Sequence, residues 1–309
     1  MSTEIKKTDP DVLFCVAREA APGRGEDSWC YSCRGGETLI GVFDGSGGIG
    51  AQQYPGYGGH TGAYVASRAV SGAVQAWFES GKTEPVEKPV EMALDICKRY
   101  ANLPQGNAGV KIKGSLRKSF PTTMAALTIF ADSDRVHARC FWAGDSRCYL
   151  CDGDGLHQLS VDDVGSTDAM ENLSDDGALK NVVNASVPYS IHTCSFIAAK
   201  PCFFVAATDG CFGYLRSPMH FEYLLIDTLC ASDSIEAWKT AMDRRLYECA
   251  GDDYSLCVAG YGYPSFKAMK KAFASRREQV RRRYIECDGE PQVLWLSYKE
   301  KYESFMTDR

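Results

Sequence analysis

The chain has 309 residues, a formal net charge of −6 at pH 7 and 14 cysteines. A chain of this length can bury the core of one long domain, or of one domain with an appendage. Its first ten residues are polar and charged with no apolar segment behind them, and no apolar run approaches the roughly 18 residues needed to cross a bilayer. We therefore exclude a small secreted disulfide scaffold and expect a soluble protein in the reducing cytoplasm.

The charge is unevenly distributed along the chain. Of the 34 basic and 40 acidic residues, eleven and seven respectively lie from Pro264 onward, so the preceding part is near −10 and the tail is locally basic. The chain as a whole is acidic and lacks aromatic side chains interleaved with basic ones, so no nucleic-acid partner is expected. No membrane partner is expected either.

The predicted elements alternate between apolar strand-like runs and segments with helical spacing. Apolar runs predict strands at 38–43, 122–130, 136–143, 148–151, 202–207 and 254–259. Helical spacing predicts helices at about 61–80, 86–100, 219–229 and 234–248. A loop is predicted over 102–115, and residues 161–187, rich in Asp, Ser and Gly, carry little periodicity.

Acidic residues stand at the ends of several predicted strands. Asp44 and Asp209 each follow an apolar run, and Asp252 precedes one. A single Asp-Gly after such a run is usually a turn signal, but Glu26-Asp27 and Asp145 extend the series to five sites. Because a strand fixes the position of its terminal residue, these ends can aim carboxylates at one point, and carboxylates suit hard cations such as Mg²⁺ or Mn²⁺.

The segments that carry these acids, together with one Pro-Thr-Thr segment, form an ordered set of motifs. They are Gly25–Ser28 (GEDS), Gly41–Gly48 (GVFDGSGG), Pro121–Thr123 (PTT), Ala143–Arg147 (AGDSR), Ala206–Gly210 (AATDG) and Asp252–Val258 (DDYSLCV). In order and spacing the set resembles the metal-dependent PPM/PP2C protein serine/threonine phosphatases, most closely their bacterial branch. The motifs frame about the first 260 residues of the chain.

The resemblance implies an α+β fold, a sandwich of two antiparallel β-sheets flanked by helices on both outer faces. It would make residues 1–263 the phosphatase domain, with a flap at about 161–187 beside the active site. Residues 264–309 lie outside the resemblance and would form a basic helical extension.

The resemblance also implies a centre of two Mn²⁺ or Mg²⁺ ions at one end of the sandwich. Asp44 would bridge the two ions, Glu26 and the carbonyl of Gly45 would serve one of them, and Asp209 with Asp252 would serve the other. Asp27 would hold ligand waters, and Asp145 is a candidate ligand of a third ion. Two such ions activate a water and neutralise charge on a phosphoryl group, so no side-chain nucleophile is required.

The sequence departs from the family around the predicted leaving group and third ion. Many eukaryotic members carry a His after the Asp-Gly, proposed as general acid, where this chain has Ser46. His60, in Gly58-Gly59-His60, is a candidate acid if its loop folds back, although an ordinary loop His before a helix is the alternative. The second Asp expected for a third ion is replaced by Gly213, which argues for a weak third site.

The phosphate-binding Arg of the family is also displaced. Its position is occupied by Pro22, and Arg24 or Arg18 is the candidate substitute, since the arginine fork suits phosphate oxygens. Either could instead be a surface charge.

Two functions remain open at this point. The first is hydrolysis of phosphoserine or phosphothreonine in protein substrates by a monomeric enzyme. The alternative is a pseudophosphatase that binds a phosphoprotein or regulatory partner without turnover. A protein without catalytic activity has no physical reason to keep several carboxylates close together, because unpaired carboxylates repel one another. We therefore favour the enzyme.

The tail and the cysteines carry weaker signals. Phe266, Met269 and Phe273 recur at helical spacing after Ser265, which predicts a capped amphipathic helix. Such a helix would pack on the phosphatase domain or dock a partner. Cysteines within apolar runs, such as Cys257, are predicted to be small apolar core residues.

Overall fold

The structure, a computed structural model, describes residues 8–101, 119–173 and 177–306, so the predicted loop 102–115 lies outside the described residues. The strands are β1 (Val12–Arg18), β2 (Ser28–Arg34), β3 (Glu37–Phe43), β4 (Met124–Ala131), β5 (Arg135–Ala143), β6 (Arg147–Cys151), β7 (Leu156–Gln158), β8 (His192–Ala199), β9 (Cys202–Ala207) and β10 (Tyr254–Tyr261). The helices are α1 (Gly47–Gly50), α2 (Gly62–Glu79), α3 (Glu87–Ala101), α4 (Pro218–Ala231), α5 (Ile235–Cys249), α6 (Phe266–Val280) and α7 (Pro291–Tyr302).

The strands form two antiparallel sheets of five strands each. The first has the order β2-β3-β4-β5-β8, and the second has the order β1-β10-β9-β6-β7. Helices α2 and α3 belong to the layer outside the first sheet, and α4 to α7 to the layer outside the second. The predicted α+β sandwich flanked by helices is therefore confirmed.

Three apolar layers hold the fold together. In β3, Ile40 and Val42 point between the sheets, whereas Leu39 and Phe43 point toward α2. Successive side chains of a strand face opposite sides, so a strand covered on both faces must be apolar throughout. This explains why the strand before Asp44 reads as a continuous apolar run.

Side-chain caps fix the start of several helices. Thr61 accepts a hydrogen bond from the backbone of Tyr64 at 3.1 Å and begins α2. Ser265, the predicted cap of the tail helix, accepts from the backbone of Ala268 at 3.2 Å and begins α6. Each cap satisfies an amide that has no partner within its own helix.

One cysteine differs from its sequence-based interpretation. Cys257 is buried in the core as predicted, but it also forms a disulfide with Cys15, which the sequence did not reveal. The two residues lie directly opposite each other in the antiparallel β1–β10 ladder. The pairing depends on the register between strands 242 residues apart, which periodicity along the chain does not reveal.

The C-terminal extension shares the core of the second sheet. After α6 a π-helical turn at Arg281–Ile285 leads into α7. The buried residues that these segments contribute to this core are Met269, Phe273, Val280, Tyr284, Trp295, Tyr298 and Tyr302. Within the described ranges, no helix is long and apolar enough to cross a membrane.

His157 ties the end of the extension to β7. Its Nδ1 lies 2.8 Å from the carbonyl oxygen of Lys301 and its Nε2 lies 3.3 Å from Asp152 Oδ1. Both partners are acceptors, so both ring nitrogens donate when the imidazole is protonated. Burial lowers the pKa of His157, but Asp152 and the Lys301 carbonyl outweigh burial and raise the pKa overall.

This arrangement predicts a pH-dependent contribution to stability. Because the folded-state pKa of His157 is raised, its contribution is complete below the unfolded pKa of about 6.5 and is lost as pH rises through the folded pKa. We expect His157→Gln to lower the free energy of unfolding by about 1–2 kcal/mol at pH 6 and by less at pH 8. Urea denaturation at the two pH values measures this, and an equal loss at both would contradict it.

Candidate active site

The strand registers bring the acidic residues to one end of the sandwich. Ser28 at the start of β2 pairs with Phe43 at the end of β3. In the second sheet, Arg147 and Leu256 both pair with Ala207 at the end of β9. The acidic residues next to these positions are Glu26, Asp27, Asp44, Asp145, Asp209, Asp252 and Asp253.

Threonines brace the acids across the sheets. The main chain of Asp44 bonds with Thr123, which gives its backbone N–H to the Asp44 carbonyl at 2.8 Å and accepts the Asp44 N–H through Oγ1 at 3.1 Å. Thr123 Oγ1 also lies 2.6 Å from Ser146 Oγ, beside Asp145. Thr208 Oγ1 donates to Asp27 Oδ2 at 2.9 Å and accepts the Ser255 N–H at 2.9 Å. Asp44 and Asp27 are therefore each held by a threonine from another strand end.

Two glycines permit the close approach of these loops. A Cβ on Gly45 would lie 2.7 Å from the carbonyl oxygen of Glu26 and 2.8 Å from that of Ala63. A Cβ on Gly210 would overlap the carbonyl oxygen of Asp253. A side chain at either position would push apart the segments that carry the acids.

Four aspartates form an electrostatically strained group, here called the carboxylate cluster: Asp27, Asp44, Asp145 and Asp209. Burial raises the pKa of Asp27 to about 8, with the charge of Asp209 acting in the same direction. Burial and the charges of Asp209, Asp27 and Asp145 raise the pKa of Asp44 well above its usual range. Burial and the Asp209 charge do the same to Asp145. In ionised form the cluster therefore needs compensating positive charge.

Glu26 and the Asp252-Asp253 pair lie beside the cluster. Burial raises the pKa of Glu26, and the charges of Asp253 and Asp252 raise it further, whereas the hydrogen bond from Thr61 lowers it. Asp253 accepts the backbone N–H groups of Ala20 at 2.7 Å and Glu26 at 2.6 Å. It thus anchors the loop that carries Glu26, a role that the sequence motif did not reveal, while Asp252 is exposed.

The donor chemistry of the site fits a hard divalent cation. Among the described residues, Asp145 Oδ1 is a buried oxygen without a hydrogen-bond partner, as expected of a group that awaits a ligand. Oxygen donors are those that Mg²⁺ and Mn²⁺ prefer. Over the same described ranges, no three His, Cys, Asp or Glu side chains are already arranged closely enough to hold a metal ion.

A cleft of about 320 Å³ opens over Asp145 and Asp209. Its opposite wall comes from the predicted flap, which contributes Asn172 and Leu173 among others. Gly213, at the position where the third-ion Asp was expected, also lines this cleft. Asp145 and Asp209 thus face a space that the flap partly encloses.

The candidate general acid, His60, packs against an aromatic ring, whereas the candidate phosphate-binding residue, Arg24, lies on the surface. The His60 ring stacks on Tyr64, with centroids 3.8 Å apart. Arg24 is exposed. Sequence reasoning missed Arg68 of α2, whose guanidinium lies over the Tyr64 ring at 3.5 Å and donates to the carbonyl of Gly25 at 3.1 Å. Its charge faces Glu26, but only the placement of α2 reveals this.

Solved structures share this fold at low sequence identity. The serine/threonine phosphatase Stp1 of Staphylococcus aureus superposes with a TM-score of 0.56 at 14% identity, covering 82% of this chain and 97% of that one. The PPM Ser-Thr phosphatase MsPP of Mycobacterium smegmatis, in complex with cacodylate, gives 0.57 at 12% identity over 82% and 100%. The catalytic domain of PstP, solved with two manganese ions, gives 0.50 at 17% identity over 81% and 98%.

The family comparison covers most of the motifs found in the sequence. No curated protein matches the chain by sequence. The model of the protein phosphatase 2C family matches residues 23–246, a range that contains the carboxylate cluster and Glu26. The chain therefore belongs to the protein phosphatase 2C family.

Proposed function

We propose that the protein is a metal-dependent phosphatase that hydrolyses phosphoserine or phosphothreonine in protein substrates. The proposal rests on the carboxylate cluster, in which Asp145 and Asp209 line the cleft and neighbouring charges raise the pKa of Asp27, Asp44 and Asp145. Buried like charges are costly to keep and cluster at functional sites. Membership of the family and the manganese ions of the PstP structure support the same conclusion.

Each residue of the site receives a role under this proposal. Asp44, Asp209, Asp252, Glu26 and the carbonyl of Gly45 would hold two Mn²⁺ or Mg²⁺ ions, with Asp27 beside them and Asp145 available for a third. When bound, such ions would neutralise phosphoryl charge and activate water.

Other side chains keep these donors in place and act on the substrate. Thr123 holds the main chain of Asp44, and Thr208 holds the carboxylate of Asp27, through the hydrogen bonds described above. Arg68 and Arg24 are the candidate side chains for binding phosphate oxygens. Ser46 cannot serve as a general acid in the way a His would, so His60 stays the candidate for that step.

Metal binding should be visible as a change in stability. Addition of Mn²⁺ to the EDTA-treated protein is expected to raise its Tm, because the cation relieves repulsion within the carboxylate cluster. At a free Mn²⁺ concentration one hundred times Kd, the free energy of unfolding should rise by about 2.7 kcal/mol. The gain should be larger at pH 8 than at pH 6, because the raised pKa values of Asp27, Asp44 and Asp145 favour protons over cations at the lower pH. Equal Tm with and without Mn²⁺ would contradict this.

Substrate class is tested with three peptides that differ only in the phosphorylated residue. Phosphate release in the presence of Mn²⁺ is expected from the phosphoserine and phosphothreonine peptides. Release from the phosphotyrosine peptide, with none from the phosphoserine and phosphothreonine peptides, would contradict the proposed substrate class. Tight peptide binding without release would instead identify a phosphoprotein-binding module.

A further inference from the structure

Helix α7 contacts the flap through one carboxylate. Trp295 Nε1 donates to Asp168 Oδ1 at 3.0 Å, and Lys299 Nζ donates to Asp168 Oδ2 at 2.6 Å. Trp295 is 3% exposed, and the Asp168 side chain is 18% exposed. An ion pair that is partly shielded from solvent, and supported by a second donor, holds its geometry better than a free surface pair. We call these three residues the clasp.

The same carboxylate shapes the flap from within. Asp168 Oδ1 accepts the backbone N–H of Met170 at 2.8 Å and that of Glu171 at 3.2 Å. These bonds begin the short 3-10 turn at Glu171–Leu173. Burial raises the pKa of Asp168, but the hydrogen bonds from Lys299 and Trp295 outweigh burial and lower it, so the carboxylate is held ionised for all four donors.

A chain of contacts leads from this turn to the cleft. Asn172 Nδ2 donates to Asp162 Oδ2 at 2.9 Å. Asp162 forms a fully buried ion pair with Arg147, whose Nη2 lies 2.6 Å from Oδ2. Asn172, Asp162 and Arg147 line the same cleft as Asp145 and Asp209. A displacement of the turn would therefore move a wall of the candidate active site.

We propose that the C-terminal extension positions the substrate-facing wall of the active site through the clasp. Asp168, Trp295 and Lys299 are positioning residues, and they set how well a phosphopeptide fits between the flap and the carboxylate cluster. The inference rests on the proposed function for its substrate.

The physical reason lies in the irregular backbone of the flap. Within residues 161–173 the regular structure is the three-residue turn, so few backbone hydrogen bonds restrain the segment. Side-chain bonds from a packed helix supply the missing restraint, and without them the segment gains conformational freedom. Trp295 belongs to the buried core of the second sheet and makes a rigid anchor for the flap.

The first test measures the flap itself by hydrogen exchange. The double variant Trp295→Phe, Lys299→Met should speed exchange of the Met170 and Glu171 amides roughly tenfold or more, the effect of losing a hydrogen bond to a charged group. The matched control is Tyr298→Phe, which removes a bond from the same helix to Glu222 at 2.6 Å and does not touch the flap. Unchanged flap exchange in the double variant would overturn the proposal.

The second test separates positioning from general stability. In the double variant kcat/KM for a phosphoserine peptide should fall roughly tenfold, whereas kcat/KM for p-nitrophenyl phosphate, which is too small to need the flap wall, should change less than twofold. Lys299→Arg, which keeps the charge and leaves Trp295 in place, should retain most of the wild-type peptide activity. Equal losses for both substrates would overturn the positioning role. Faster flap exchange in a protein that hydrolyses neither substrate would support the clasp and remove only the proposed function.

Discussion

Replacing Asp209 by Asn should reduce phosphopeptide turnover about 100-fold or more and, at the same time, raise the Tm of the metal-free protein. Loss of a residue that merely supports a metal ligand typically costs 10–100-fold in affinity or activity, so loss of a ligand should cost at least as much. The stability gain is expected because the Asp209 charge raises the pKa of Asp27, Asp44 and Asp145. Asn keeps the shape and removes the repulsion.

The backbone around Asp209 should tolerate this change. Its carbonyl oxygen accepts the N–H groups of Phe212 at 2.9 Å and Gly213 at 2.6 Å, and Asn preserves both bonds. Asp233→Asn is the matched control, because the Asp233 side chain is 98% exposed and pairs with Lys270 on the surface. Turnover and Tm in EDTA decide the outcome: wild-type turnover in Asp209→Asn would contradict the role assigned to Asp209.

Replacing Arg276 by Met should lower the free energy of unfolding by about 3–5 kcal/mol, because it leaves a buried carboxylate without its cation. Arg276 of α6 holds Glu222 of α4 in a two-point ion pair, with Nε 2.6 Å from Oε1 and Nη2 2.8 Å from Oε2. The Glu222 side chain is fully buried and the Arg276 side chain is 9% exposed. Of the donors to Glu222 among the described residues, Tyr298 would remain.

The triple variant Arg276→Met, Glu222→Leu, Tyr298→Phe should regain most of this loss, since a buried ionic group can be replaced by well-packed apolar residues at little cost. Arg282→Met is the control for removing an arginine from the same region. The Arg282 side chain is 74% exposed in its pair with Glu278, so its loss should cost at most about 1 kcal/mol. Urea denaturation measures all three, and equal costs for Arg276→Met and Arg282→Met would contradict the interpretation.

The sequence predicts the candidate site well where its signals are local. An apolar run followed by Asp marks both a strand and the residue at its end, and Asp44 and Asp209 were found in this way. The strands and helices around them follow from the same periodicity. The fold class follows from the family resemblance, since the order of motifs carries more information than any one of them.

Features that depend on pairing between distant segments could not be read from the sequence. Thr123 holds Asp44 from the neighbouring strand, and Thr208 reaches Asp27 from the opposite sheet, so only the register and the packing of the two sheets show these contacts. Arg68 comes to face Glu26 through the packing of α2. The Asp168–Lys299 contact joins residues 131 positions apart. Local periodicity cannot identify partners at such separations.

Metal-dependent hydrolysis can be measured as phosphate release from a phosphoserine peptide by EDTA-treated protein as Mn²⁺ is added back. We expect negligible release in EDTA and recovery of turnover with Mn²⁺. Release that is insensitive to EDTA would contradict metal dependence. Absence of release from the folded protein at saturating Mn²⁺ would contradict the assignment as an active phosphatase.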